Sequence, residues 1–434
     1  MKYYEDAHVY DLVVAGGGLS GVAAAVAAAR LGLDVLLIER MSFLGGMATN
    51  GLVNPWMPFT MKYPNGSSED IVQGVFKEMN TGLAALGGLH ERDFHPHLLK
   101  MVLNRMIDES GVALLCNVIV SDVKAKGGKI SGIEATGKSW KRWIKGRFFI
   151  DATGDADVTD AAGFATEYGR EEDGAVQPST LNFRMSGVDM EKYRAWKQTA
   201  KEPGGLAVSI LKQYRAEGKL HCPRENLLIF NTTWPDVLHF NQTRLLGVDT
   251  RSPMSLTKGY SDALKYIGEY LALLRKEIPG FENAQLQEIA PCIGVRESRR
   301  IVAEYTLTDD DVLSARKFDD GIVRCNYPVD IHNPKGGGTV IRPVPPGDNY
   351  EIPYRSLVPK GSKNLLVAGR PIGATHVAHA SLRIMPACTG IGEAAGTAAA
   401  LLLKDKKKMP LDLNSVLLRE TLVRNGQNLN RPPK

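Results

Sequence analysis

The sequence predicts an α/β fold, in which a parallel sheet carrying a β-meander is interrupted by an inserted α+β domain. Three observations predict it. An apolar run, Leu12–Ala15, leads into Gly16-Gly17-Gly18-Leu19-Ser20-Gly21 and an alanine-rich segment; a second apolar run, Val35–Ile38, closes on Glu39. Farther on, a glycine hairpin at Gly127-Gly128 precedes a strand ending in the small-residue turn Asp151-Ala152-Thr153-Gly154. After a long stretch without a second such glycine pattern, a strand closed by glycine returns at Asn364–Arg370.

The first element has a reason at each position. Gly16 permits a sharp strand-to-helix turn, Gly18 lets a pyrophosphate approach the backbone, and Gly21 lets helix and strand pack closely. The helix start offers free N–H groups and a positive dipole end to phosphates. Glu39 lies 18 residues beyond Gly21, where a carboxylate can accept from a ribose diol. A glycine turn of another α/β unit is the competing reading; the two flanking strands and the acid favour a Rossmann-type dinucleotide site.

Gly45-Gly46 allows backbone to lie against a bulky ligand. Residues 51–89 read as loops and a helix, 71–86. Apolar residues at helical spacing predict a helix over 96–110. Strands follow at 112–115, 118–123, 130–135 and 147–151. Residues 166–339 read as the inserted domain, with a long helix over 261–277. Residues 1–165 and 340–405 form the dinucleotide-binding domain, and 406–434 a closing helix (411–423) and tail. Gly390–Gly396 is expected to open a helix reaching Leu403, with the cations of Lys404–Lys408 complementing its dipole rather than forming a nucleic-acid patch.

Composition is that of a globular protein: 434 residues, 44% hydrophobic, 23% charged, net charge +5. That mild charge suits an anionic cofactor or substrate and does not by itself argue for nucleic acid, which the short lysine run and the lack of a long basic C-terminal domain leave an unfavoured partner. Five scattered cysteines without a CxxC give no disulfide framework or zinc site and suit a reduced, cytoplasmic setting. No run is long enough to span a bilayer, and no signal-peptide core precedes the first strand.

Beyond the fingerprint, the segments LGGMATNG (44–51), DATGDADV (151–158), GVRESRRI (294–301), YEIPYRSLVPKG (350–361), NLLVAGRPIGATHVAH (364–379) and GIGEAAGTAA (390–399) resemble the FAD-dependent oxidoreductases with a glutathione-reductase-like Rossmann fold, distant kin of the fumarate-reductase-type flavoproteins. The resemblance implies a Rossmann-type FAD-binding domain plus a substrate or cap domain. Gly16, Gly18, Leu19 and Ser20 would hold the pyrophosphate, and Glu39, with Arg40 beside it, the adenosine ribose. Gly45, Gly46 and Met47 would run along the flavin, Val120 would meet the adenine, and Ala152 and Gly154 would line the adenosine half. Gly369 and Arg370 would pass the pyrophosphate and ribitol; many flavoproteins of this fold carry an acid where Arg370 stands. Gly390, Ile391 and Gly392, at the expected helix start, would face the flavin N1–C2=O edge. No histidine is identifiable as a covalent attachment point, so the FAD is expected to be non-covalent.

Flavin carries hydride chemistry, and the protein supplies orientation and proton transfer. The densest cluster of suitable groups holds His376, His379 and Arg383, with His376 preferred as acid/base; a hydrogen bond to flavin or backbone is its alternative role. Arg299, within the Arg296, Arg299, Arg300 cluster, is a candidate carboxylate clamp, against an ion pair with Glu297 or Glu304. No metal site is expected. The leading function is hydride transfer between a small polar metabolite and flavin N5, with the electron partner unspecified. The alternatives are a flavoprotein of tRNA modification and a non-redox dinucleotide-binding biosynthetic protein. A homo-oligomer is expected only on general frequency.

Overall fold

A computed structural model describes residues 1–405 and 409–431. The strand β1 (Val9–Ala15) leads through the glycine turn into α1 (Leu19–Arg30) and back into β2 (Val35–Glu39). Helices α2 (Val75–Ala85) and α3 (Pro96–Glu109) precede β3 (Ala113–Cys116). The meander follows as β4 (Ile119–Lys126), β5 (Lys129–Gly137) and β6 (Trp140–Asp151). The sheet runs β3-β2-β1-β6-β5-β4, with Lys2–Tyr3 added outside β3. β6 serves two partners along one edge. Its first half pairs antiparallel with β5, and Phe149–Asp151 pairs parallel with the late strand Leu365–Val367. The β3, β2, β1 and β6 pairings are parallel, so the strands' carboxyl ends converge where the glycine turn and the Asp151 turn meet.

The insert builds a separate antiparallel sheet from β7 (Phe183–Ser186), β8 (Ile229–Phe230), β9 (Leu238–Phe240) and β10 (Gln285–Ile289), in the order β8-β9-β7-β10. Helix α4 (Pro253–Glu277) packs on it. α4 begins eight residues before the expected position 261, because Ser252 caps it and Pro253 fits its first turn. The period of 2 sorts the sheet's faces: Phe183, Met185, Leu238 and Phe240 enter the insert's own core, and Arg184 and His239 turn the other way.

The expected domain limits at 166 and 340 do not coincide with the division of the cores. The insert core draws on residues from Leu181 to Ile293, plus Leu52. From Ile301 onward the chain packs into the core beneath the main sheet. Residues 301–339 are short strands, turns and one five-residue helix (Asp309–Leu313) without a long periodic pattern, so hydrophobic periodicity does not mark their return. The hairpin β11 (Val329–His332) and β12 (Thr339–Arg342) belongs to this stretch.

The C-terminal part adds α5 (His376–Leu382), α6 (Met385–Lys404) and α7 (Ser415–Arg424). The expectation for α6 is corrected. It starts at Met385, with Pro386 in its first turn, and Gly390, Ile391 and Gly392 lie inside it, buried. A Cβ on Gly392 would sit 2.0 Å from the Ser20 carbonyl oxygen, and one on Gly396 2.0 Å from that of Ala24. The small residues let α6 lie directly on alanine-rich α1, where a side chain would force the helices apart. Gly390 faces Val323 instead: a Cβ there would lie 3.1 Å from a Val323 methyl. The glycines therefore serve helix packing and do not form a helix start. Of the Lys404–Lys408 run, residues 406–408 lie outside the described residues.

Glu393 is fully buried on α6, where its carboxylate accepts from the Val75 N–H (3.0 Å) and the Gln427 amide (2.7 Å). Burial pushes its pKa up from 4.5 to about 7. A raised carboxyl favours the folded state while protonated; that contribution is complete below about pH 4.5 and is lost as pH rises through about 7. Glu393→Gln is expected to flatten the fall in Tm between these limits. Thermal melts of both proteins across that window check it, and parallel profiles contradict it.

Candidate functional site

The carboxyl ends of β1 and β6 open into a cleft. Gly18 is the N-cap of α1, and no side chain caps the helix, so its first-turn N–H groups remain for a ligand. Gly16, at φ +105, lies against Ala152: a Cβ there would be 2.3 Å from its carbonyl oxygen. Gly45 lies in bridge partnership with Gly18, and the Gly45 N–H donates to Gly17 O at 2.8 Å. A Cβ on Gly46 would be 2.9 Å from Gly18 Cα. Two glycine turns thus stack backbone on backbone, which admits a long flat ligand. The Glu39 carboxylate accepts from the Gly17 N–H (2.6 Å) and the Met41 N–H (2.8 Å), which fixes it at the cleft's end. Burial pushes its pKa upward, against the pull of those two donors. Asn50 also lines the cleft, and its buried Oδ1 has no partner among the described residues. Open N–H groups, a glycine cradle, a fixed acid and an orphaned acceptor fit a dinucleotide.

Most residues expected at the cofactor lie together here. Gly16, Gly18, Leu19 and Ser20 line the cleft from the first turn, and Glu39 and Arg40 from the end of β2. Gly45, Gly46 and Met47 line it from the second turn, and Ala152, Gly154, Gly369 and Arg370 from the opposite wall. Arg370 donates to Gly154 O (3.0 Å) and pairs with Asp155 (3.2 Å), so a carboxylate stands beside this position after all. Val120 lies in the meander, paired with Ala135, and is not among the lining residues; nor are Gly390, Ile391 and Gly392. Besides the α1 start, the start of α6 reaches the cleft, through Met385 and Cys388. Pro386 was the available signal, since proline favours the first helical turn.

A second cavity, of about 390 Å³, adjoins the cleft. Met47, Arg370, Arg383 and Met385 line both, so the two spaces meet. The insert contributes Phe230 and Asn241, and the 327–341 hairpin region contributes Tyr327, Asp330, His332 and Ile341. The Tyr327 hydroxyl donates to Asp330 Oδ2 at 3.0 Å. His332 and Arg383, with this hydroxyl, hold the Asp330 carboxyl well below the usual range despite its burial. Burial, with Arg296 nearby, pushes His332 down to about 3, so its imidazole is neutral. None of Tyr327, Asp330 and His332 stood out in sequence, because the hairpin that carries them has no motif.

The expected catalytic residues separate. Arg383 lines both spaces, 3.9 Å from the Asp330 carboxylate, 3.3 Å from the Asp330 carbonyl oxygen and 3.4 Å from Gln177 Oε1. His376 begins α5 behind Thr375 as N-cap, and its Nδ1 lies 2.8 Å from Glu297 Oε1. Glu297 is fully buried and also binds Arg300 at 2.5 Å and the Gln177 N–H at 3.0 Å. His376 is thus a member of a buried ionic network and does not line the cavity. His379 is 1% exposed, and burial keeps it neutral. Arg299 pairs with Asp157 (3.3 Å) and Asp160 (3.1 Å), outside both spaces. Arg299→Gln is therefore expected to change stability by less than about 1 kcal/mol and to leave cofactor content unaltered. Urea unfolding and flavin absorbance measure both; loss of cofactor contradicts this placement. No cluster of three metal-ligating side chains occurs among the described residues.

The family model for FAD dependent oxidoreductase matches residues 11–422. No curated protein matches the chain in sequence. Among solved structures, the chain is similar to a geranylgeranyl bacteriochlorophyll reductase-like protein from Thermoplasma acidophilum, with 13% identity, TM-score 0.46, and 97% of this chain and 84% of that one covered. The flavin-dependent brominase Bmp2 matches at 13% identity and TM-score 0.46, over 95% and 83%. The p-nitrophenol 4-monooxygenase PnpA from Pseudomonas putida matches at 12% identity and TM-score 0.44, over 100% and 91%. No helix among the described residues is long and apolar enough to cross a membrane. With the family model spanning nearly its whole length over a cleft that fits a dinucleotide, this chain belongs to the FAD dependent oxidoreductase family and is an FAD-dependent enzyme.

Proposed function

We propose that the protein transfers a hydride between a small polar metabolite and the flavin, with the metabolite held in the 390 Å³ cavity. The observation that carries this is the shared wall: Met47, Arg370, Arg383 and Met385 face both spaces, so a molecule in the cavity abuts the cofactor cleft. FAD bound in the cleft supplies a two-electron acceptor or donor at N5. The chain supplies the rest. The α1 start and the Gly45-Gly46 turn bind and orient the dinucleotide, and the insert's Phe230 and Asn241 form part of the cavity wall. The uncapped start of α6 turns its positive dipole end toward Met385, at the junction of the two spaces. Tyr327, pushed upward by burial, holds its proton at working pH beside the substrate. We also propose that residues 181–293 act as the substrate cap.

Anaerobic mixing of the FAD-loaded protein with fractionated metabolite pools tests the reading. The expected result is bleaching of the flavin absorbance by one fraction of small polar compounds. A flavin that dithionite reduces but no fraction bleaches or reoxidises contradicts it.

A further inference from the structure

The cavity holds more positive charge than the protein itself neutralises. Four arginines line it, Arg224, Arg296, Arg370 and Arg383, against one carboxylate, Asp330. Arg370 is matched by Asp155, and Asp330 is shared between the Tyr327 hydroxyl, His332 and Arg383. Arg224 and Arg296 are left over. They are 7% and 9% exposed, and among the described residues no carboxylate lies within salt-bridge distance of either. Arg296 is held by neutral acceptors, Pro178 O at 2.6 Å and Asn241 Oδ1 at 3.1 Å; the Arg224 Nε donates to Asn226 Oδ1 at 3.2 Å. Burial, and then Arg383 and Arg224, push Arg296 down to about 9, so these cations lie near one another.

An uncompensated buried charge is strongly destabilising, and buried arginines are therefore normally paired. Two that are aimed into one cavity and fixed by neutral acceptors form a preorganised receptor for an anion. The same cavity has an apolar side in Leu228, Phe230 and Ile341.

We propose that the substrate is a small organic oxyanion, a carboxylate or a phosphate ester, whose charged end is clamped by Arg224 and Arg296 while its hydrocarbon part lies on Leu228, Phe230 and Ile341. The planar guanidinium forks suit the paired oxygens of either group. This inference rests on the reading of the cavity as the substrate site and names the class of molecule that fills it.

The test uses the FAD-loaded protein and two readouts that need no turnover: the flavin visible spectrum and the Tm. Acetate, succinate, benzoate and inorganic phosphate are titrated against acetamide, succinamide and benzamide. At least one oxyanion is expected to perturb the spectrum saturably and raise Tm, with its amide counterpart inert. Phosphate against the carboxylates tells the two chemistries apart. Arg296→Gln and Arg224→Gln are expected to weaken that binding by about tenfold or more, the loss of one charged hydrogen-bonding group. Arg296→Lys keeps the charge and is expected to lie between. Arg251→Gln, which removes an exposed ion pair with Asp249, leaves the affinity unchanged. The flavin-to-protein absorbance ratio shows whether each variant is folded.

No oxyanion effect in folded holoprotein, equal binding of the amides, or unaltered affinity in Arg296→Gln overturns the proposal. Oxyanion binding through these arginines in a protein that no metabolite fraction reduces or reoxidises leaves this inference standing and removes the hydride-transfer reading. Bleaching by neutral compounds alone does the reverse.

Discussion

Gly16→Ala is expected to abolish FAD retention. The new Cβ would lie 2.3 Å from the Ala152 carbonyl oxygen, and the backbone there has φ +105, a conformation that alanine rarely adopts. The turn must shift, and with it the orientation of the α1 N–H groups. A loss of about 100-fold or more in affinity is expected, about 2.7 kcal/mol. Gly18→Ala separates two effects. Its nearest neighbour would be Gly46 Cα at 3.9 Å, and its φ of −66 suits any residue. That variant is expected to fold with an unchanged Tm in the absence of FAD but to bind FAD weakly, because the methyl occupies the ligand's path. FAD titration by fluorescence quenching, with thermal melts of the apoproteins, checks both. Full FAD affinity in Gly16→Ala contradicts the assignment of this turn.

Glu297→Ala is expected to cost about 3–5 kcal/mol of stability, because it strands the buried Arg300. The Arg300 guanidinium is 3% exposed; it would keep its bonds to Ala374 O and Gly169 O and a loose pair with the exposed Glu167 at 3.9 Å, but lose its buried counter-charge. His376 would lose its 2.8 Å partner in the same step. The double variant Glu297→Leu with Arg300→Met removes both charges and is expected to recover much of the loss. Urea unfolding of the single and double variants measures the coupling. A single-variant cost below about 1 kcal/mol contradicts the account of this network.

What the sequence revealed was local. The fingerprint, Glu39, the Gly45-Gly46 turn and the Ala152–Gly154 turn are each written in a few consecutive residues, and the fold brings them into one cleft. Gly390–Gly396 misled because small residues at helical spacing serve two purposes, a ligand approach or a close helix contact. Only the position of α1 decides between them: a Cβ on Gly392 would meet the Ser20 carbonyl. The Arg296–Arg300 cluster was legible as a group but not by role, since adjacent arginines point to different neighbours. Arg296 faces the cavity, Arg299 pairs with Asp157 and Asp160, and Arg300 with Glu297. The cavity drew on residues from Met47 to Met385 that no sequence spacing links. His376 was favoured for its place after a strand end, but the acid that claims it lies 79 residues earlier in the chain.

The most direct test of the central claim, that the stacked glycine turns and the α1 start form the cofactor cleft, is the FAD stoichiometry of the folded chain. The account predicts one FAD per chain, reversibly reducible by dithionite, in the wild type, and far less than one in Gly16→Ala at equal FAD. A folded wild-type chain that binds no FAD, or a Gly16→Ala variant that retains one per chain, would contradict it.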